Sequence, residues 1–162
     1  MLTINERWHG TGEADDRLVL PFDLRRKSRL HVRLESGADA ALILERGGVL
    51  RDGDRLRAED GRIVLVQAAE EATLHVTASD PRDLARAAYH LGNRHVPVEV
   101  GAGWLRLGAD HVLEHMLLGL GVAIRHESAP FEPEAGAYGG GHRHHDDHDH
   151  HHDHGHAGHA HD

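Results

Sequence analysis

Short apolar runs separated by turn residues dominate the first half of the chain. "RLVLPF" (17–22), "RLHVRL" (29–34), "AALILE" (40–45) and "RIVLVQ" (62–67) are rich in Leu, Val and Ile. Between them stand Ser36-Gly37, Gly47-Gly48, Asp52-Gly53 and Asp60-Gly61. Asp-Gly between apolar runs marks hairpins, and this strand spacing predicts a small sandwich or barrel over residues 1–71. "LRRKSRL" (24–30) concentrates four basic residues in one connection. It reads as a solvated turn, with a docking patch as the alternative.

The pattern changes at Ala72. "ATLHVTA" (72–78) predicts a strand. Ser79 or Asp80 then caps a helix with Pro81 in its first turn. Leu84, Ala87, Ala88 and Leu91 share one face of that helix, and Gly92 is its expected stop. "VPVEV" (96–100) and "WLRL" (104–107) predict two strands joined by Gly101 and Gly103. Asp110 caps a second helix, lined by Val112, Leu113, Met116, Leu117 and Leu120 and ended by Gly121. "VAIRHE" (122–127) predicts the last strand. The order β-α-β-β-α-β predicts a ferredoxin-like domain over 72–138, with both helices on one face of a four-stranded sheet. The expected class is therefore α+β. "SAPFEPEAGAYGGG" (128–141) reads as an arm leaving that domain, then a hinge. Residues 139–162 contain almost nothing apolar and are expected to be disordered without metal.

Composition narrows the chemistry. The net charge is −9. Five Asp and one Arg in residues 142–162 give −4, which leaves −5 for the rest. This balance argues against nucleic acid as a partner. The chain has no cysteine, so disulfides and thiolate metal sites are excluded and any metal must take nitrogen and oxygen ligands. No signal peptide and no apolar run long enough to cross a membrane is visible, so the expected compartment is the cytoplasm. A body this small gains from dimerisation.

The end of the chain carries the strongest chemical signal. From His142 onward eleven of 21 residues are histidine: His142, His144, His145, His148, His150, His151, His152, His154, His156, His159 and His161. They are interleaved with Asp, unlike the unbroken block of a purification tag. His148, His150, His152, His154 and His156 recur every second residue, so in an extended segment they share a side and can chelate one ion. Eleven such ligands suffice for about three ions. Ordering a flexible chain around each ion costs conformational entropy, which favours a reservoir that loads and unloads. Imidazole suits Ni(II), Zn(II), Cu(II) and Co(II), and intrinsic affinity favours copper.

Two candidate histidine sites lie in the body. "HVLEH" (111–115) has the H-x-x-E-H form of a zinc-peptidase helix, with His111 and His115 on one face and Glu114 as the base. Such peptidases need a larger scaffold and a further ligand. The alternatives are two histidines on a polar helix face and an auxiliary metal site. In "LGNRHVP" (91–97), His95 is presented between a helix stop and a strand. One histidine holds a transition metal weakly, but a two-fold axis nearby would bring a second His95 to the same ion.

These segments resemble one family. "AYHLGNRHVPVEV" (88–100), "DHVLEHMLLGLG" (110–121) and "PFEPEAGAY" (130–138), ahead of a His-rich end, are similar to the UreE urease accessory proteins. "LRRKSRLHVRL" (24–34) and "VLRDGDRL" (49–56) resemble the N-terminal part of the same family. The resemblance implies a nickel metallochaperone without catalysis of its own. It implies a homodimer with an N-terminal β domain that docks partners and a ferredoxin-like metal-binding domain. It further implies that His95 from two subunits shares one nickel ion and that His111 is an auxiliary ligand. Some relatives carry a second histidine two residues earlier, where Ala109 stands here, so His115 or Asp110 would have to compensate. The implied partners are the GTPase UreG and the UreD–UreF–urease assembly. The rival readings are a His-rich nickel or zinc buffer without delivery, and a zinc hydrolase using His111, Glu114 and His115.

Overall fold

In a computed structural model of the chain, residues 1–136 are described; they form two domains, each around its own apolar cluster. The N-terminal domain is built on six strands: β1 (Leu2–Trp8), β2 (Asp16–Leu20), β3 (Arg29–Arg33), β4 (Asp39–Ile43), β5 (Arg55–Ala58) and β6 (Ile63–Ala68). They make one mixed sheet in the order β2-β6-β5-β1-β4-β3, with β1·β4 and β2·β6 parallel. Alternate side chains point inward, so Leu18, Leu20, Leu42, Leu56, Val64 and Val66 close the core.

Sequence patterning places four of these strands and misses β1 and β5. Of the two Asp-Gly pairs, Asp60-Gly61 turns the β5–β6 hairpin, with Gly61 at φ +91°. Asp52-Gly53 instead leads into β5 from a strand it does not pair with. The expected strand 17–22 stops at Leu20. Pro21 then caps a single helical turn, α1 (Phe22–Arg25).

The second domain runs β7 (Glu70–Thr77), α2 (Pro81–Asn93), β8 (Glu99–Gly101), β9 (Trp104–Gly108), α3 (His111–Gly119) and β10 (Ala123–Pro130). Its four strands are antiparallel in the order β10-β7-β9-β8. Leu74 and Val76 stand opposite Leu107 and Leu105 on one face, where Ala87 and Leu91 of α2 and Leu117 of α3 cover them. Both helices therefore lie on the same side. On the other side His75 stacks on Trp104 (5.3 Å), and Arg106 spans Glu99 (2.9 Å) and Glu127 (3.2 Å).

The arm after β10 does not leave the molecule, as its composition suggests. Phe131 is buried and meets Phe22 edge-on at 5.8 Å. Arg25, from the basic connection, is fully buried. Its guanidinium bonds the Glu132 carboxylate and the carbonyls of Phe131, Leu20 (3.1 Å) and Leu50 (3.1 Å). Arg51 adds a bond to the Pro133 carbonyl at 2.6 Å. One of the four basic residues is thus an internal tie between the domains, neither a solvated charge nor an external patch.

Candidate metal centre

Helix α2 ends one residue later than Gly92 suggests, and its ending determines how His95 is held. The Val96 amide donates to the Leu91 carbonyl (3.1 Å) and the His95 amide to the Gly92 carbonyl (3.0 Å). This pair of bonds is the Schellman closure, which requires a left-handed residue at the position between them and the cap. Glycine normally fills it. Here it is His95, at φ +57°, with no other non-glycine residue at positive φ among the described residues. A left-handed conformation costs a residue with a Cβ about 1 kcal/mol. Val96 packs against the core cluster containing Leu91, so the closure is anchored by apolar contact. The His95 ring is therefore exposed on a rigid backbone at the end of a helix.

The "HVLEH" segment is helical from its first residue, with His111 and His115 both exposed. Asp110 caps that helix: its Oδ1 accepts from the amides of Val112 (2.9 Å) and Leu113 (3.0 Å). An Asp110 so engaged has one oxygen left to offer a metal in place of a histidine at Ala109. Glu114 is not poised as a base either. Its Oε1 lies 2.7 Å from Nε2 of His126 on β10. Sequence reading did not single out His126, because its partner is set by how α3 lies on the sheet, a relationship without a local pattern.

Among the described residues, no three His, Asp or Glu side chains converge on one point. His95, His111 and His115 are thus not assembled into one cluster within a single chain. Helices α2 and α3 also expose large apolar side chains, Tyr89 (68%) on the first and Val112 (70%) and Leu118 (53%) on the second. The tail histidines, from His142 to His161, lie outside the described residues.

The chain thus joins a mostly-β domain to an α/β domain that exposes histidines at the end of α2 and the start of α3. The chain belongs to the UreE family: the model of the "UreE urease accessory protein, N-terminal domain" matches residues 3–69, and that of the C-terminal domain matches residues 71–161. It is 54% identical over 162 residues to the urease accessory protein UreE of Alkalilimnicola ehrlichii, covering 100% of this chain and 99% of that one. It is 63% identical over 131 residues to UreE of Cupriavidus necator, covering 80% and 68%. Against UreE of Burkholderia pseudomallei strain 1710b it is 62% identical over 130 residues, covering 80% of this chain and spanning 64% of the relative's length. The match is to an accessory family of urease and not to an enzyme family. No helix among the described residues is long and apolar enough to cross a membrane.

Proposed function

We propose that this protein is a nickel metallochaperone of urease maturation, in which His95 from each of two chains grips one Ni(II) ion. The observation that carries the reading is the backbone of His95. A histidine occupies a glycine position, at a stability cost, with its ring exposed. Strain held at an exposed, chemically capable residue points to function. The exposed apolar side chains of Tyr89 on α2 and of Val112 and Leu118 on α3 support a homodimer through the helical layer. A site of imidazoles from two chains keeps coordination positions open, so a partner with better-shaped ligands can take the ion.

In this reading the second domain is ferredoxin-like, His111 and His115 are auxiliary donors, and the tail histidines store further ions. The recipient is UreG, ahead of the UreD–UreF–urease assembly, in the cytoplasm. Zn(II), Cu(II) and Co(II) compete for the same donors. The test is urease activation in cells at limiting nickel. His95→Ala lowers urease nickel content under the proposal, and unchanged content rejects it. The tail's eleven histidines favour one other reading, a nickel or zinc buffer without delivery. Delivery requires a metal-dependent complex with UreG; a buffer forms none.

A further inference from the structure

A cleft opens where the two domains meet. Phe22 and Phe131, which meet edge-on, line it together with Val96, Pro97 and Leu113. Its volume is about 230 Å³, below the roughly 300–1,000 Å³ of a site for a drug-sized ligand. That is room for one long side chain. Gly108, at the end of β9, also lines it. A Cβ there would meet nothing within 4 Å, and Gly108 is not among the glycines at positive φ. Neither packing nor backbone geometry asks for glycine at this position; close approach of another group would account for it.

Three carboxylates share the cleft: Asp23, Glu71 and Asp110. Asp110 holds its helix cap with Oδ1, and Glu71 Oε2 accepts from the Phe22 amide (3.0 Å). None of the three forms an ion pair among the described residues. No lysine, arginine or histidine among those residues lines the cleft; Arg25 and Arg26 lie over the Phe22 ring (5.6 and 5.7 Å) without doing so. Unpaired carboxylates beside apolar walls hold a negative potential that favours a cation. They do not converge on one point as the ligands of a metal ion must. The cation that fits therefore has an apolar stem and several donors. Arginine has both: its methylene stem packs on apolar surface, and its five N–H donors fan out to separate acceptors, whereas lysine offers a point charge.

We infer that this cleft is a docking pocket for one exposed arginine of a partner protein. Arginine is among the side chains that most often anchor interfaces. Val96 and Pro97 follow His95 in the chain, and Asp110 precedes His111, so a partner held here lies beside both histidines. That such a partner takes metal from them rests on the reading of His95 as a ligand; the pocket itself does not.

The test is an NMR titration of the full-length protein, kept metal-free by a chelator, with N-acetyl-arginine amide as the probe. N-acetyl-citrulline amide is its neutral counterpart of nearly the same shape. The expected shifts concentrate on the amides of Asp23, Val96, Gly108, Ala109 and Asp110, and citrulline binds roughly tenfold more weakly. Asp23→Asn, at an exposed position, weakens arginine binding about threefold, and Asp23→Lys weakens it further. Equal binding of the two probes, shifts centred elsewhere, or an Asp23→Lys protein that binds arginine as before overturns the inference. Free arginine binding more tightly than the capped probe assigns the cleft to a metabolite and overturns it too. Sedimentation of Asp23→Lys beside the wild type is expected to show the same oligomer; altered self-association gives the cleft to a second copy of this chain and rejects an outside partner. No metal enters these measurements, so a His95 that proves not to bind nickel rejects the proposed function and leaves the arginine titration to decide the pocket.

Discussion

The amide of Val96 reaches back 3.1 Å to the carbonyl of Leu91, and this bond folds the intervening His95 into the left-handed region. His95→Gly should therefore stabilise the protein by about 1 kcal/mol, since glycine adopts this conformation without steric cost. For a molecule of this size that raises Tm by roughly 4 °C. His95→Ala gives no such gain. Melting curves in a chelator measure both, and a destabilised glycine variant would show that the turn is not strained.

Arg25 satisfies three backbone carbonyls and one carboxylate while fully buried. Arg25→Ala removes the buried donor these acceptors share, though Leu20 keeps the Ala69 amide and Glu132 keeps Arg51, and it opens a cavity, at a cost of about 3 kcal/mol. Arg25→Lys recovers little, because an ammonium cannot present the guanidinium's planar fork of donors. Denaturant midpoints at constant slope give the comparison.

The Asp16 carboxyl titrates below its ordinary value. Burial pushes it up, but bonds from the Ser36 hydroxyl and from the amides of Arg17 (2.8 Å) and Ser36 (3.2 Å) outweigh burial. A lowered folded-state pKa gives stability that is complete above the unfolded value of about 3.9 and is lost as pH falls through the folded one. Wild type should exceed Asp16→Asn by about 1 kcal/mol at pH 7. The gap should close below about pH 4. A constant difference from pH 7 to 3 would assign the effect to packing.

Nickel capacity of the histidine-rich end should fall steeply below about pH 6, because imidazole must be neutral to bind and its unperturbed pKa is about 6.5. Calorimetry at about pH 5.5 and 7.5 should give clearly different stoichiometries; equal ones would refute imidazole ligation there.

Glu114→Gln should leave urease activation unchanged. Its carboxylate pairs with the largely exposed His126 (2.7 Å), a contact worth under about 1 kcal/mol. A loss of activation comparable to that of His95→Ala would reopen a catalytic role for the H-x-x-E-H helix.

Local periodicity made much of the second domain readable. Leu84, Ala87, Ala88 and Leu91 fix the face of α2, Asp80 and Asp110 cap the two helices as their positions suggest, and Gly103 turns between β8 and β9. The first strand was illegible because only Ile4 of β1 is buried, so "LTINERW" shows no alternation. β5 was hidden by its brevity, with Leu56 and Ala58 as its only buried pair. The stop of α2 was misplaced because glycine is the usual signal, whereas Gly92 stays helical and a histidine takes the left-handed position. The tie between Arg25 and Glu132 joins residues 107 apart and leaves no trace in any local pattern. The exposed His95 was legible as a candidate; the strain that marks it was not.

The central claim is a nickel ion held between two copies of His95. Its most direct test is nickel titration, with sedimentation, of the chain lacking residues 142–162. The account predicts one tightly held ion per dimer, absent in the same protein carrying His95→Ala. A truncated protein that binds no nickel, or that keeps its ion after the substitution, contradicts it.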